Sequence, residues 1–408
     1  MLLGAGLCAQ ADVVTDWNKA ALDAIRADRT APPMASRNLA ILHAAIYDAV
    51  NGISREHEAY FVRSAVAASA SPEAAASAAA HAVLISLYPD RAVDFDNLNA
   101  ATLGAIPEGP QKQMGIACGE AIAAKILAWR ADDGSGAMVA PPGDSGPGDW
   151  VPTPPAFAAY LLPQWGDCAP FAMTDHSQFR PSGPPSLDSA KWASDYNQVK
   201  ALGAAVGSTR TPDQTQIAQF WADDAGTETP PGHWNHIAQD VGAAQGNTLE
   251  QNARLFALLN IALADAGICA WDAKYTYHNW RPVTAIRNGD TDGNPATEPD
   301  PTWSSFIGTP PFPDYVSGHS TFSSAAATVL ALFYGRDDIS FTTGSDFLPG
   351  VFRSFRSFFA AASEAADSRV YGGLHFRFAS DDGLAAGLSL GEWTFTHYLQ
   401  PKGDRSRK

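Results

Sequence analysis

Thr248 to Lys274 reads TLEQNARLFALLNIALADAGICAWDAK, and this stretch decides the class of fold. Its apolar residues recur at helical spacing throughout, and no proline breaks the run. The same pattern spreads outward on both sides. Asn38 to Val50 carries Leu39, Leu42, Ile46 and Val50 on one face and ends near Gly52. Ser71-Pro72-Glu73 supplies an N-cap serine and a first-turn proline for an alanine-rich helix to about Leu87. Gly109-Pro110 opens another, with Met114, Cys118, Ile122 and Trp129 along one side, and Gly134 and Gly136 stop it. Helical patterning returns at Ser189 to Gly203, Pro212 to Trp221, Ser320 to Tyr334, Gly350 to Arg369 and Asp381 to Tyr398. Strand alternation is nearly absent and no repeat period is visible. The expected class is all-α, built as two packed four-helix-type bundles.

Composition divides the chain into parts. Residues 12–139 form an N-terminal helical part and 190–400 a C-terminal one. Between them, residues 140–189 turn to Pro, Gly, Asp and Ser with scattered aromatics. That mixture is too aromatic for a flexible linker and too proline-rich for helix, so it reads as an ordered excursion that helps to roof a cleft. Leu2 to Ala11 is apolar and small and ends Ala9-Gln10-Ala11, like the end of a signal peptide. A periplasmic or secreted protein is therefore expected, with residues 1–11 a signal-peptide remnant.

The 408 residues, 46% of them hydrophobic, are ample for a large core. A net charge of -16 argues against nucleic acid or an anionic membrane as partner. No run of eighteen apolar residues appears, so no membrane span is expected. Cys8 would leave with the signal peptide, and Cys118, Cys168 and Cys269 are single and far apart, which suits small core residues. Asp223-Asp224 and Asp290, Asp292 and Asp300 read as solvated loop acids, and Asp290-Thr291-Asp292-Gly293-Asn294 lacks the distal glutamate of a calcium loop. No second metal is expected.

The chemistry concentrates in the last third. Lys274 and Arg281 stand seven apart, on one face if the helix persists, with Trp271 a turn earlier and Pro282 after them. Ser317-Gly318-His319 opens an apolar helix, with the serine at the N-cap and the glycine letting the backbone approach a ligand. Ser368-Arg369 closes another helix, and Gly372-Gly373 turns the chain back so that His375 can reach the same point. Three cations and two histidines gathered in an acidic chain point to a pocket for a tetrahedral oxyanion. Pro181-Ser182-Gly183 looks like a second copy of the serine-glycine motif but lacks its histidine.

These motifs (Lys274 with six residues before Arg281-Pro282, then Ser317-Gly318-His319, then Ser368-Arg369 with five before His375) resemble the signature of the vanadium-dependent haloperoxidases. That family is related to the type-2 phosphatidic acid phosphatases and bacterial acid phosphatases. Arg37-Asn38-Leu39-Ala40 through His43 to Asp48, and Gly232-His233-Trp234-Asn235, also look like the bacterial haloperoxidase type. The resemblance implies a vanadate cofactor with His375 as its metal ligand, or as the nucleophile if the chain is a phosphatase. It implies Lys274, Arg281 and Arg369 around the oxygens, with Ser317 and the Gly318 N–H adding hydrogen bonds. His319 would be the general acid–base, and Lys274 would polarise the peroxide. Vanadate on histidine copies the trigonal bipyramid of phosphoryl transfer, so one pocket suits both oxyanions and phosphate is an expected competitor. Trp271 and Phe312 look like the fungal chloroperoxidase pattern and would wall a halide pocket.

Two positions depart from the family pattern. Val316 stands where proline is usual before Ser-Gly-His. Ala379 stands four after His375, where the pattern has an aspartate that would orient the imidazole. Asp381, Asp382 or a backbone carbonyl is the expected substitute. The reading is then a haloperoxidase that oxidises halide with hydrogen peroxide to a hypohalous species, with an organic acceptor as a further partner. The alternatives are a histidine-nucleophile acid phosphatase, and a non-catalytic phosphate-binding or scaffold protein.

Overall fold

The long stretch that decides the class is the spine of the molecule. In the computed structural model, which describes residues 12–403 apart from 65, 141, 142, 144 and 145, the chain opens with five helices. These are α1 (Val13–Asp28), α2 (Pro32–Ser54), α3 (Pro72–Leu87), α4 (Ala92–Ala105) and α5 (Pro110–Arg130). After the proline-rich excursion come α6 (Ala190–Leu202), α7 (Pro212–Phe220), α8 (Thr229–Gln245), α9 (Leu249–Tyr277) and α10 (Pro282–Arg287). Next is α11 (Gly318–Tyr334), then a hairpin of β1 (Phe341–Gly344) and β2 (Phe352–Phe355), then α12 (Phe358–Tyr371) and α13 (Arg377–His397). The expected signal segment, with Cys8, lies outside the described residues.

Helix α9 starts where Thr248 accepts the Gln251 N–H and the Gln251 side chain returns the bond. From Leu255 to Lys274 every residue is buried. Its mean hydropathy of 1.6 over eighteen residues would allow a membrane crossing by length and composition, but 94% of that window is buried within the protein. The reason is its position: α9 packs on α2 on one side and on α11 and α13 on the other. Helices α2, α3 and α5 form the N-terminal packing unit, and α11, α12 and α13 the C-terminal one.

Small residues set how closely these helices approach. A Cβ on Gly387 of α13 would sit 2.3 Å from the Thr321 carbonyl oxygen of α11. On α5, a Cβ at Gly119 would sit 2.3 Å from the Ala75 oxygen of α3. Glycine is the only residue that permits either contact, and the first one fixes the end of α11 that carries Ser317.

The structure corrects two expectations and adds helices. Residues 350–369 are not one helix, because Phe352 to Phe355 pair antiparallel with β1, Phe341 opposite Phe355, before Ser357 caps α12. Aromatic residues pairing across a hairpin outweigh helical spacing in so short a run. Lys274 and Arg281 do not share a helical face: α9 ends at Tyr277, His278 turns left-handed with φ 51°, and Arg281 is the N-cap residue of α10. Helices α1, α4 and α8 are additions to the expected set; in α8, Pro230 and Pro231 sit in the first turn, where proline costs nothing.

Candidate active site

One cavity, about 390 Å³ in volume, lies where α9, α11 and α12 end. Leu161, Trp271, Phe312, His319, Arg369 and His375 all line it. Leu161 comes from the proline-rich excursion, its N–H is bonded to the Pro311 oxygen at 2.9 Å, and it is this segment's contribution to the cavity lining. Trp271 donates to the Leu161 oxygen at 3.2 Å and packs 4.9 Å from the Phe312 ring.

Behind this apolar wall lie the cations. Lys274 and Arg281 are fully buried and Arg369 is 2% exposed. Lys274 gives its three protons to backbone oxygens of Pro313, Asp314 and Val316, at 2.9, 2.9 and 2.5 Å. Burial, then the field of Arg281, holds its pKa well below the ordinary lysine value. Arg281 donates from Nε to the Phe312 oxygen and from Nη1 to the Leu374 oxygen, both at 2.8 Å. Arg369 donates from Nη1 to the Trp221 oxygen at 3.0 Å. Arg281 Nη2 and Arg369 Nε are buried and have no protein partner. Burial pushes these guanidiniums down to about 9 and about 10, which still leaves both charged at neutral pH.

Helix α11 contributes its N-terminus. Ser317 caps it by accepting the Ser320 N–H at 3.3 Å, and its own N–H is held by the Ala379 oxygen at 2.9 Å. The Ser317 hydroxyl proton remains for a ligand, and first-turn N–H groups have no partner within a helix. A Cβ on Gly318 would meet the Trp271 ring at 3.5 Å, so that ring closes one side of the helix end. His319, in the first turn, has Nε2 3.2 Å from the Ala222 oxygen. A carbonyl only accepts, so Nε2 carries the proton of the neutral ring. Burial, then Arg369, pushes the His319 pKa well below the usual value.

His375 is 2% exposed and neutral, because burial and then Arg281, Lys274 and Arg369 oppose its protonation. Its Nε2 lies 3.1 Å from Arg281 Nη1. Its Nδ1 lies 2.8 Å from Oδ1 of Asp314, a short contact whose ring N–H is not aimed squarely at the oxygen. Neither Asp381 nor Asp382 fills the position left by Ala379. Asp382 accepts the Tyr315 hydroxyl at 2.7 Å, and Asp381 lies 4.0 Å from Arg377. Asp314 is fully buried; burial lifts its carboxyl to about 7, against the pull of Arg281 and Lys274.

Sequence reading also missed the acids of the α7–α8 loop. Asp223 is buried and lines the cavity with Asp224, rather than being solvated. The His233 ring stands 3.3 Å from Asp223, which more than offsets burial and raises the histidine. Asp224 opens onto the cavity, where desolvation raises its carboxyl and Arg369 pulls it back. Asp292 is also buried, accepting the indole N–H of Trp192 from α6 at 2.8 Å. Among the described residues no group of His, Cys, Asp and Glu has the geometry of a protein-only metal cage.

The donor set has the chemistry of an oxyanion seat: buried cations with unspent N–H groups, a helix N-terminus, and an imidazole beside them. Vanadate fits it: these N–H and O–H donors would hold its oxygens, and the His375 imidazole offers a nitrogen lone pair beside them. The comparisons with known proteins agree. A family model described as the VCPO second helical-bundle domain matches residues 254–402. A bacterial vanadium-dependent iodoperoxidase of known structure is 30% identical, with a TM-score of 0.83 over 96% of this chain and 97% of that one. This chain belongs to the vanadium-dependent haloperoxidases. The vanadium chloroperoxidase of Curvularia inaequalis is 26% identical across 89% of this haloperoxidase and 78% of the fungal protein. An apo-type bacterial vanadium-dependent chloroperoxidase, 18% identical with a TM-score of 0.71, shares the fold over 90% and 94% of the two chains. As a haloperoxidase the protein uses vanadate, hydrogen peroxide and a halide, and neither the phosphatase nor the scaffold alternative is favoured.

Proposed function

We propose that this haloperoxidase oxidises iodide most readily, in the cavity between Trp271, Phe312 and His319. The observation that carries this is the cavity wall, formed by apolar side chains around a cationic floor. A halide must shed water to enter such a wall, and iodide sheds it most easily. The iodoperoxidase likeness supports the same order.

The site residues take the following parts. Bound vanadate supplies Lewis-acid activation of peroxide. His375 offers the Nε2 lone pair as its ligand. Arg281 and Arg369 would offer their free N–H groups to its oxygens, and Ser317 and the Gly318 N–H would complete the cradle. His319, kept neutral, holds its proton on Nε2 at the Ala222 oxygen and leaves Nδ1 as the base that accepts a proton from peroxide. Lys274 is one step back: it fixes the turn 313–316 and adds positive field, and it reaches an oxygen only by releasing one of its three carbonyls. Phosphate competes for the same donors. The Ala9-Gln10-Ala11 ending keeps an exported, periplasmic or secreted setting within this reading.

The test is halogenation of a phenolic dye with peroxide and iodide, bromide or chloride, each with and without vanadate. Vanadate-dependent turnover that falls from iodide to chloride is expected. Equal rates in vanadate-free and vanadate-loaded protein would remove the haloperoxidase reading, and a preference for chloride would remove the iodide one.

A further inference from the structure

We propose that Asp314 is the positioning residue that sets the tautomer of His375 and so presents a bare Nε2 to vanadate. This rests on the reading of His375 as the vanadium ligand. Arg281 can only donate, and its Nη1 is 3.1 Å from His375 Nε2, so Nε2 must be the acceptor nitrogen of a neutral ring. The ring proton then sits on Nδ1, and the atom 2.8 Å from Nδ1 is Oδ1 of Asp314. The two contacts specify the same tautomer from opposite edges of the imidazole. That tautomer is the one a metal ligand needs, because the lone pair is on the nitrogen turned toward the cations.

Asp314 is itself held rigidly. Its N–H is bonded to the Asn279 oxygen at 2.9 Å, in the turn that delivers Arg281. Its own backbone oxygen accepts Lys274 at 2.9 Å. Its carboxylate is fully buried and lies in the field of Arg281 and Lys274. One residue thus ties together the segments carrying Lys274, Arg281 and His375. It also answers the question posed by Ala379: the orienting carboxylate comes from the strand of chain before α11, not from α13.

A rival account would have Asp314 serve only as counter-charge to Lys274 and Arg281. The two roles predict opposite outcomes in Asp314→Asn. The amide keeps one acceptor oxygen but adds an NH2 that only donates, so it can face His375 Nδ1 with either end. If Asp314 positions the ring, the tautomer is no longer enforced and vanadate should bind about 10- to 100-fold more weakly. Phosphate, which needs the cations but no lone pair from His375, should bind no more weakly than before. If Asp314 is only counter-charge, removing it should tighten both oxyanions.

The experiment measures vanadate and phosphate binding by calorimetry in wild type and Asp314→Asn. It is paired with ¹⁵N–¹H correlation of labelled histidines in the vanadate-free wild type, with the His375 signal assigned by its loss in His375→Gln. An Nδ1–H tautomer together with selective weakening of vanadate supports the proposal. An Nε2–H tautomer, vanadate binding that is unchanged or tighter, or parallel weakening of both anions would overturn it. An Nε2–H tautomer in the wild type overturns the proposal even if Asp314→Asn does not fold. Wild-type protein that binds vanadate but oxidises no halide would sink the functional reading and leave this one standing.

Discussion

Two regions of the molecule bury charge in opposite ways. In α2, Asp48 accepts three backbone N–H groups, from Tyr60, Phe61 and Val62, at 2.7, 2.9 and 2.7 Å. In α9, Asp265 accepts three from Phe171, Ala172 and Met173, at 2.7, 2.7 and 2.6 Å. Each of these carboxylates is satisfied by its own chain and fastens a loop to a helix. At the other end of α9, Arg281 and Arg369 are as deeply buried but keep N–H groups with no protein partner. The difference teaches which buried charges are structural and which await a ligand. A charge whose hydrogen bonds are complete holds the fold, and one left incomplete in a protein that folds is complemented by something else.

The largest effect that tests this contrast is at the open end. His375→Ala should abolish vanadate-dependent halide oxidation while circular dichroism and the unfolding midpoint stay close to wild type. Loss of the fold along with the activity would mean that the site is as structural as Asp265. At the closed end, Asp265→Ala should leave three buried N–H groups unpaired, at about 1–3 kcal/mol each, and so cost about 3 kcal/mol or more of stability. Chemical denaturation checks this, and a variant destabilised by less than about 1 kcal/mol would show that water replaces the carboxylate.

This contrast also marks how far the sequence could be read. Helix existence was legible where spacing and a cap coincided at Ser71, whose side chain does accept the first-turn N–H, and in the long apolar run from Thr248. Every residue expected at the oxyanion site lies at or just behind one cavity, because the motif residues sit at element ends that converge there. What stayed hidden was pairing between distant segments. Asp314 carries no signal of its own in Pro311-Phe312-Pro313-Asp314-Tyr315, and nothing local says that His375 will be its neighbour. Asp223 was read as solvated for the same reason, while its neighbour Asp224 is indeed exposed. The turn at His278 was also hidden, since a non-glycine residue in left-handed conformation leaves no spacing signal.

An oxyanion should close the open end thermodynamically. Vanadate or phosphate at one hundred times its dissociation constant should add about 2.7 kcal/mol to stability. Asp48 and Asp265 gain nothing from either anion, so the gain should vanish in a variant lacking the cradle, such as Arg281→Ala with Arg369→Ala. Thermal unfolding with rising phosphate reads this directly. A shift that persists in the double variant would place the anion elsewhere.

The smallest effect concerns pH, and it sharpens the contrast through a third buried group, one that belongs to the closed region. His43 of α2 is fully buried, its Nε2 3.2 Å from Asn18 Oδ1 and its ring stacked 5.0 Å from Phe256. Burial lowers its pKa to about 3. Because the folded value lies below the unfolded one, the unfolded chain takes up a proton below about pH 6.5 that the folded protein refuses. Stability from this group is therefore complete above that pH and falls as pH drops, by up to about 1.4 kcal/mol per unit. Asp48 and Asp265 act in the opposite sense, since burial raises both to about 6: the folded state holds their protons longer, so acid between about pH 6 and 4 favours it. The site histidines, His319 and His375, are lowered as His43 is and add to the acid loss in vanadate-free protein. His43→Gln should remove one histidine's share, making the fall in unfolding free energy from about pH 5.5 to about pH 4 shallower by about 1.4 kcal/mol per unit. Activity at neutral pH should be unchanged, because His43 is no part of the cavity. An identical slope in wild type and variant would mean that His43 takes up its proton in the folded state, and that the closed region is less sealed than its hydrogen bonds imply.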